Sequence, residues 1–220
     1  MNTLMRPCLA LLGKEIDGGW KVDTMVAKSE GATGGTFSAQ YTVIDESGKK
    51  AFLKAFDFSS AMQSANWVDE LNRMTSEYIF ERDIYEQCKN SRLRNVVTPL
   101  AHGEVDTGVG GVFSKVKYII FELADGDLRG TKEDVKHDVE WIFRNLHNAA
   151  VGLKQLHGQQ IAHQDLKPSN VLIFKKKTAK VSDLGRASDK KKPFRWDAMI
   201  HAGDCGYAPF ERHWGVGCDE

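Results

Sequence analysis

His163-Gln164-Asp165-Leu166-Lys167-Pro168-Ser169-Asn170 runs straight into the apolar stretch Val171-Leu172-Ile173-Phe174, and Ser182-Asp183-Leu184-Gly185 follows a second short apolar stretch. Asn170 stands five positions after Asp165, and Asp183 stands thirteen after Asn170. Residues 171–174 and 179–182 read as a pair of short strands, with Lys175-Lys176-Lys177 as a solvated hairpin turn between them. The polar residues make a chemical set. Asp165 can accept or orient a hydroxyl proton, and Lys167 can neutralise charge on a phosphate. The amide oxygen of Asn170 and the carboxylate of Asp183 are hard oxygen ligands of the kind Mg2+ prefers. Phosphoryl transfer needs each of these parts.

Outward from this segment the chain changes character. Upstream, residues 133–157 carry helical periodicity, which places Val139, Ile142, Phe143, Leu146, Ala150, Leu153 and Leu156 on one face. The first third reads as strands: residues 20–26, residues 37–44, the turn Asp45-Glu46-Ser47-Gly48, then residues 51–56, an antiparallel meander. Residues 61–89 switch to helical spacing, with Ile79, Phe80, Ile84, Tyr85 and Cys88 as the apolar series. Strand signals return at Val96-Val97, Gly103-Glu104-Val105 and residues 116–123, the last two separated by a glycine-rich turn at 108–111. Strands first and a long helix later is an α+β order.

Composition narrows the function classes. With 30 Lys+Arg against 30 Asp+Glu in 220 residues, the net charge is zero, and no global field draws the chain to nucleic acid or an anionic membrane. Hydrophobic residues at 41% and charged residues at 27% are globular usage, which excludes disorder as the main state. No run reaches the roughly 18 apolar residues of a membrane-spanning helix. Cys8-Leu9-Ala10-Leu11-Leu12, after Arg6, is too short for a signal-peptide core and reads as the buried edge of a strand or helix. Cys8, Cys88, Cys205 and Cys218 are scattered, the usage of reduced thiols in a cytoplasmic protein.

The two motifs at their mutual spacing resemble the protein kinase superfamily, whose catalytic loop reads H-R-D-L-K-P-x-N in the serine/threonine branch and whose metal motif reads D-F-G. The resemblance implies that Asp165 is the catalytic base, Lys167 a phosphate-contacting lysine, and Asn170 and Asp183 the Mg2+ ligands. Ala51-Phe52-Leu53-Lys54 resembles the V-A-I-K strand, which makes Lys54 the contact to the ATP α- and β-phosphates. It lies nineteen residues after Gly35 in Gly31-Ala32-Thr33-Gly34-Gly35-Thr36-Phe37-Ser38, a degenerate Gly-rich loop in which Gly34 and Gly35 approach the phosphates. The family pairs that lysine with a helical glutamate. Glu81 is the choice by helical position, with Glu77, one turn earlier, as the alternative.

Residues 118–128 resemble the connector between kinase lobes, with Phe121 as gatekeeper, the backbones of Glu122 and Ala124 meeting the adenine edge, and Asp127 bonding the ribose. Gly203-Asp204-Cys205-Gly206-Tyr207-Ala208-Pro209-Phe210-Glu211 resembles the end of an activation segment, with Pro209 and Phe210 where Ala and Pro are usual. Other departures are Gln164 for the loop arginine (a non-RD kinase), Leu184 for the Phe of D-F-G, and Phe52 and Gln40 where the nucleotide pocket usually has Ala and Val.

The expectation is therefore an α+β, bilobal, protein-kinase-like fold. Residues 1–124 form a strand-rich N-lobe, with a nucleotide-covering sheet and a regulatory helix. Residues 125–220 form a truncated helical C-lobe holding the catalytic loop, metal motif and activation segment. The implied activity is Mg2+-dependent transfer of the ATP γ-phosphoryl group to Ser/Thr hydroxyls of protein substrates in the cytoplasm, with no specific nucleic acid or membrane partner. The helices that usually follow do not appear before Glu220, and three readings stay open: a cut in a longer chain, a naturally short chain, or a partner that covers the exposed surface of the incomplete lobe. Two other readings share the pattern. One is a pseudokinase binding module. The other is a small-molecule phosphotransferase of the aminoglycoside or choline kinase type, families that generally lack the Lys167-Pro168 pair.

Overall fold

The computed structural model describes residues 6–27, 38–109, 111–130, 139–199 and 202–214. The chain divides into two compact units, Met1–Arg82 with Pro99–Leu123, and Asp83–Thr98 with Ala124–Glu220.

In the first unit, strands β1 (Glu15–Ile16), β2 (Trp20–Met25), β3 (Ser38–Ile44), β4 (Lys50–Phe56), β5 (Pro99–Asp106) and β6 (Lys115–Glu122) form one antiparallel sheet in the order β1-β2-β3-β4-β6-β5. Strict alternation makes β4 its spine. Ala51, Leu53 and Ala55 are fully buried on one face, while Phe52, Lys54 and Phe56 share the other. The buried face packs with Tyr41 and Val43 of β3 and Val116, Tyr118 and Ile120 of β6. The β3–β4 turn closes because the Asp45 carboxylate accepts from the Ser47 and Lys49 amides and Gly48 adopts φ +81°. Of the N-terminal apolar run, Cys8 and Leu11 are fully buried in this core, while Leu9 and Leu12 are exposed.

A 3-10 turn, Ser59–Gln63, leads to helix α1 (Trp67–Asn90). Its buried stripe is Met74, Tyr78, Glu81, Tyr85 and Cys88, joined by Phe80 and Ile84. Ile79, expected on that stripe, is exposed. It sits about 100° around the helix from Tyr78, so a stripe that repeats every three or four residues through 74, 78 and 81 leaves it out. A carboxylate, Glu81, takes the central buried place instead.

In the second unit, β7 (Gly126–Asp127), β9 (Val171–Phe174) and β10 (Thr178–Val181) form a three-stranded antiparallel sheet, and β8 (Ile161–Ala162) pairs with β11 (Ser188–Asp189). The strand signal at Val96-Val97 resolves to a single parallel bridge, Val96 to Val181. Helix α2 runs Val139–Gly158, and the earlier part of the predicted helix lies outside the described residues. Its buried positions are Asn145, Ala149, Gly152 and Leu156. The expected apolar face is mostly turned out: Val139, Ile142, Phe143 and Leu146 are exposed. Close approach explains the choice, because Ala149 and Gly152 in the middle of the buried stripe seat the helix against the hairpin at a distance larger side chains there would forbid. Among the described residues, no helix is long and apolar enough to cross a membrane. Cys8, Cys88 and Cys205 carry free thiols, and burial pushes the first two up to about 12.

Candidate active site

Strand β8 delivers the chain into a tight loop at His163. Its buried imidazole donates from Nε2 to the Ser182 carbonyl at 2.8 Å, and its Nδ1 accepts the Asp165 amide at 3.2 Å. One nitrogen donates and the other accepts, so the ring is neutral. Gln164 then turns the backbone through φ +62°, a left-handed conformation that side chains seldom adopt and that recurs at functional sites. The next residue, Asp165, is almost fully buried. Its Oδ1 accepts the Asp204 amide at 2.7 Å, and its Oδ2 lies 3.1 Å from Lys167 Nζ. Asn170 Nδ2 donates to the Asp165 carbonyl at 2.8 Å and to Oδ2 at 3.2 Å. Lys167 Nζ also stands 3.7 Å from Asp204 Oδ2, so two carboxylates flank it.

Burial pushes the His163 imidazole below its ordinary value of 6.5. Unfolded His163 takes up a proton near pH 6.5 while the folded ring stays neutral. Its contribution to stability is therefore whole above that pH and is lost as pH falls toward the lower folded value. On acidification below 6.5, the wild type should lose melting temperature more steeply than His163→Gln, whose amide can still donate to Ser182 but does not titrate. Parallel melting curves for the two proteins would show that His163 does not carry this dependence.

Asp183 follows strand β10 and is also left-handed, at φ +58°. The Tyr85 hydroxyl holds it by accepting the Asp183 amide at 2.8 Å. Ser182 ties it to the Asp165–Asn170 loop: both the Ser182 amide and Oγ donate to the Asn170 carbonyl, at 2.8 and 3.0 Å. Leu184 is fully buried, anchoring the turn after Asp183.

The first unit carries a second cluster. Lys54 Nζ meets both Glu81 oxygens, at 2.7 and 2.9 Å, and lies 5.3 Å above the Phe56 ring. Glu77 is engaged by Arg73 at 2.5 Å, so of the two candidate glutamates it is Glu81 that reaches the lysine. Register places Gln40 and Ile119 beside Lys54, and Thr42 and Phe121 beside Phe52. Glu122 ends β6 opposite Ala51. In the second unit, Ala124 precedes β7, where Asp127 accepts the Gly130 amide at 2.8 Å. Gly34 and Gly35 lie outside the described residues.

The family model described as "Protein kinase domain" matches residues 32–211. The chain belongs to the protein kinase family. It is similar to Cyclin-dependent kinase 17 of Caenorhabditis elegans, at 29% identity over 59% of this chain and 20% of that protein. It is also similar to Serine/threonine-protein kinase Nek2 of Homo sapiens, at 36% identity over 32% of this chain and 18% of that protein. CTD kinase subunit alpha of Saccharomyces cerevisiae is 38% identical over 33% of this chain and 14% of that protein. The chain thus spans between about a seventh and a fifth of these relatives' lengths. Its architecture is the α+β protein-kinase-like fold, with the six-stranded sheet in the strand-rich N-lobe.

Three residues that sequence reasoning did not assign shape this kinase site. Asp204 touches both Asp165 and Lys167, and the Gly203-Asp204 pair is the local hint of it. A Cβ on Gly203 would lie 2.5 Å from the Gln164 carbonyl oxygen and 2.6 Å from Asp165 Cβ, so only glycine lets the segment come this close. Tyr85 reads locally as one more apolar helix residue, yet its hydroxyl supports Asp183 across 98 positions of sequence. Earlier in the chain than Gly203, buried Trp196 has Arg186 at 3.9 Å and Arg195 at 4.6 Å from its ring, and Gln164 Nε2 donates to Ser188 Oγ at 3.1 Å.

Proposed function

We propose that this kinase domain transfers the γ-phosphoryl group of ATP to Ser/Thr hydroxyls of protein substrates. The observation that carries the reading is the hydrogen-bonded group of Asp165, Lys167 and Asn170, buried and oriented before any substrate arrives. The acceptor hydroxyl gives its proton to Asp165, its oxygen bonds to the γ-phosphorus, and the bond from that phosphorus to the β–γ bridging oxygen breaks, releasing ADP. Lys167 and Lys54 neutralise phosphate charge, and Glu81 holds the Lys54 ammonium. Gly34, Gly35, the backbones of Glu122 and Ala124, and Asp127 take the phosphates, adenine edge and ribose.

The donor chemistry suits Mg2+. Asn170 spends its amide nitrogen on Asp165 and so offers its oxygen to the other side, and Asp183 adds a carboxylate. Bound there, the ion would neutralise charge on the phosphates.

The enzyme belongs, on this reading, to the non-RD type and works without a phosphate on its activation segment. Gln164 has no guanidinium to receive one. The segment is held instead by cation–π contacts from the two arginines to Trp196, and the exposed Gln164–Ser188 hydrogen bond is not required. The free thiols suit a cytoplasmic setting. A second reading, a pseudokinase binding module, is favoured by Phe52, which stands beside Phe121 on the Lys54 face of the sheet and narrows the room for adenine.

One experiment separates them. Incubated with Mg2+ and γ-labelled ATP, the chain is expected to label serine or threonine in a generic basic protein, and Ser188→Ala is expected to keep its rate. An ATP-dependent rise in melting temperature without label transfer supports the pseudokinase. Stoichiometric phospho-Ser188 by mass spectrometry, together with loss of transfer in Ser188→Ala, would end the phosphate-independent reading.

A further inference from the structure

The N-terminal residues 6–16 precede the stretch that matches the family, yet they are built into the first unit. Cys8 and Leu11 are fully buried in the sheet core, and the Tyr41 hydroxyl donates to the Cys8 carbonyl at 2.7 Å. This anchorage presents Arg6 to Asp57. Arg6 Nε donates to Asp57 Oδ2 at 2.5 Å, and that carboxylate side chain is only 1% exposed. The other oxygen, Oδ1, accepts the Ser59 amide at 3.1 Å and the Ser59 hydroxyl at 2.5 Å. The serine supplies hydrogen bonds but no charge. Among the described residues, the cation paired with Asp57 is Arg6.

Asp57 lies between two aromatic residues that grip helix α1. The Phe56 ring meets the Tyr78 ring edge-on at 4.9 Å, and Phe58 meets it at 6.3 Å. Tyr78 is buried one turn before Glu81, on the same helix stripe. Phe56 in turn carries Lys54 above its ring. A continuous set of contacts therefore runs from Arg6 to Asp57, through Phe56 and Phe58 to Tyr78, and ends at the Lys54–Glu81 pair.

We infer that Arg6 is a positioning residue for Lys54 and Glu81: by neutralising buried Asp57, it fixes the two-ring clamp that sets the height and rotation of α1. The inference rests on the proposed role of Lys54 at the ATP phosphates, and a catalysis-independent readout keeps the two separable.

In the full chain, the rate at which acetic anhydride modifies the Lys54 amine, read by mass spectrometry, reports the ion pair directly. Arg6→Gln is expected to raise that rate by about tenfold, the lower end of what a charge-assisted hydrogen bond is worth. Arg6→Lys, which keeps the charge, is expected to restore most of the protection. In an Asp57→Asn background, where Oδ1 still caps Ser59, Arg6→Gln should add nothing, because the partner charge is already gone. In the transfer assay, Arg6→Gln should raise the KM for ATP about tenfold, by the same reasoning, and leave the KM for the protein acceptor unchanged. Unchanged Lys54 acetylation in Arg6→Gln, simple additivity with Asp57→Asn, or equal rises in both KM values would each overturn the inference. Absence of phosphoryl transfer in the wild type would instead defeat the proposed function, and acetylation of Lys54 would still decide the role of Arg6.

Discussion

Asp165→Asn is expected to lower the turnover of phosphoryl transfer by ~10²–10⁴-fold, the usual worth of a positioned general base. ATP should still raise the melting temperature of the variant, because phosphate recognition is assigned to other residues. The substitution is nearly isosteric, but Asp165 faces donors on both oxygens: the Asp204 amide at Oδ1, and the Lys167 ammonium and Asn170 amide at Oδ2. Either orientation of the substituted carboxamide turns an N–H toward another donor. A loss of about 1–3 kcal/mol in stability should therefore accompany the loss of rate, as for a buried polar group whose partner is removed. That loss is far too small to unfold a domain of ordinary stability at room temperature. Single-turnover kinetics at saturating ATP, with a melting curve on the same sample, measures both effects. Turnover equal to wild type would show that Asp165 is not the base.

What could be read in advance follows from the range of the forces involved. The meander was legible because strand β4 is flanked on both sides, so that its alternation of Ala51, Leu53 and Ala55 with Phe52, Lys54 and Phe56 is fixed by burial of one face. Helical period brought Glu81 forward and left Glu77 open, and the geometry that separates them is Arg73, whose guanidinium occupies Glu77. Local pattern failed where the partner surface decides. On α2 the larger apolar side chains make the more conspicuous stripe, yet the helix buries the side carrying Ala149 and Gly152 because only that side lets it approach the hairpin. Contacts that join distant loops left almost no local mark. Tyr85 to Asp183 and Arg6 to Asp57 each join one ordinary-looking residue to another, and no periodicity links them.

The α2 packing yields the second large effect. Gly152→Ala should lower stability by about 2 kcal/mol, although alanine gains about 1 kcal/mol over glycine in a helix interior. A Cβ at this position would lie 2.6 Å from the Asn95 carbonyl oxygen and 2.8 Å from Val181 Cγ2. The carbonyl cannot yield cheaply, because it accepts the Val181 amide at 2.8 Å, and the Asn95 amide is itself held by Gln155 Oε1 at 3.0 Å. Steric overlap must then push the helix away from the hairpin or break those bonds, and overpacking of this kind costs more than the propensity gain returns. For a chain of this size the expected fall in melting temperature is about 4–8 °C. Gly158, at the end of the same helix, has nothing within 4 Å of its would-be Cβ. Gly158→Ala should therefore be neutral or stabilising by up to about 1 kcal/mol. Opposite signs for one substitution at two places on one helix isolate packing from propensity. If Gly152→Ala melts at or above the wild type, the close seating of α2 on Asn95 and Val181 is wrong.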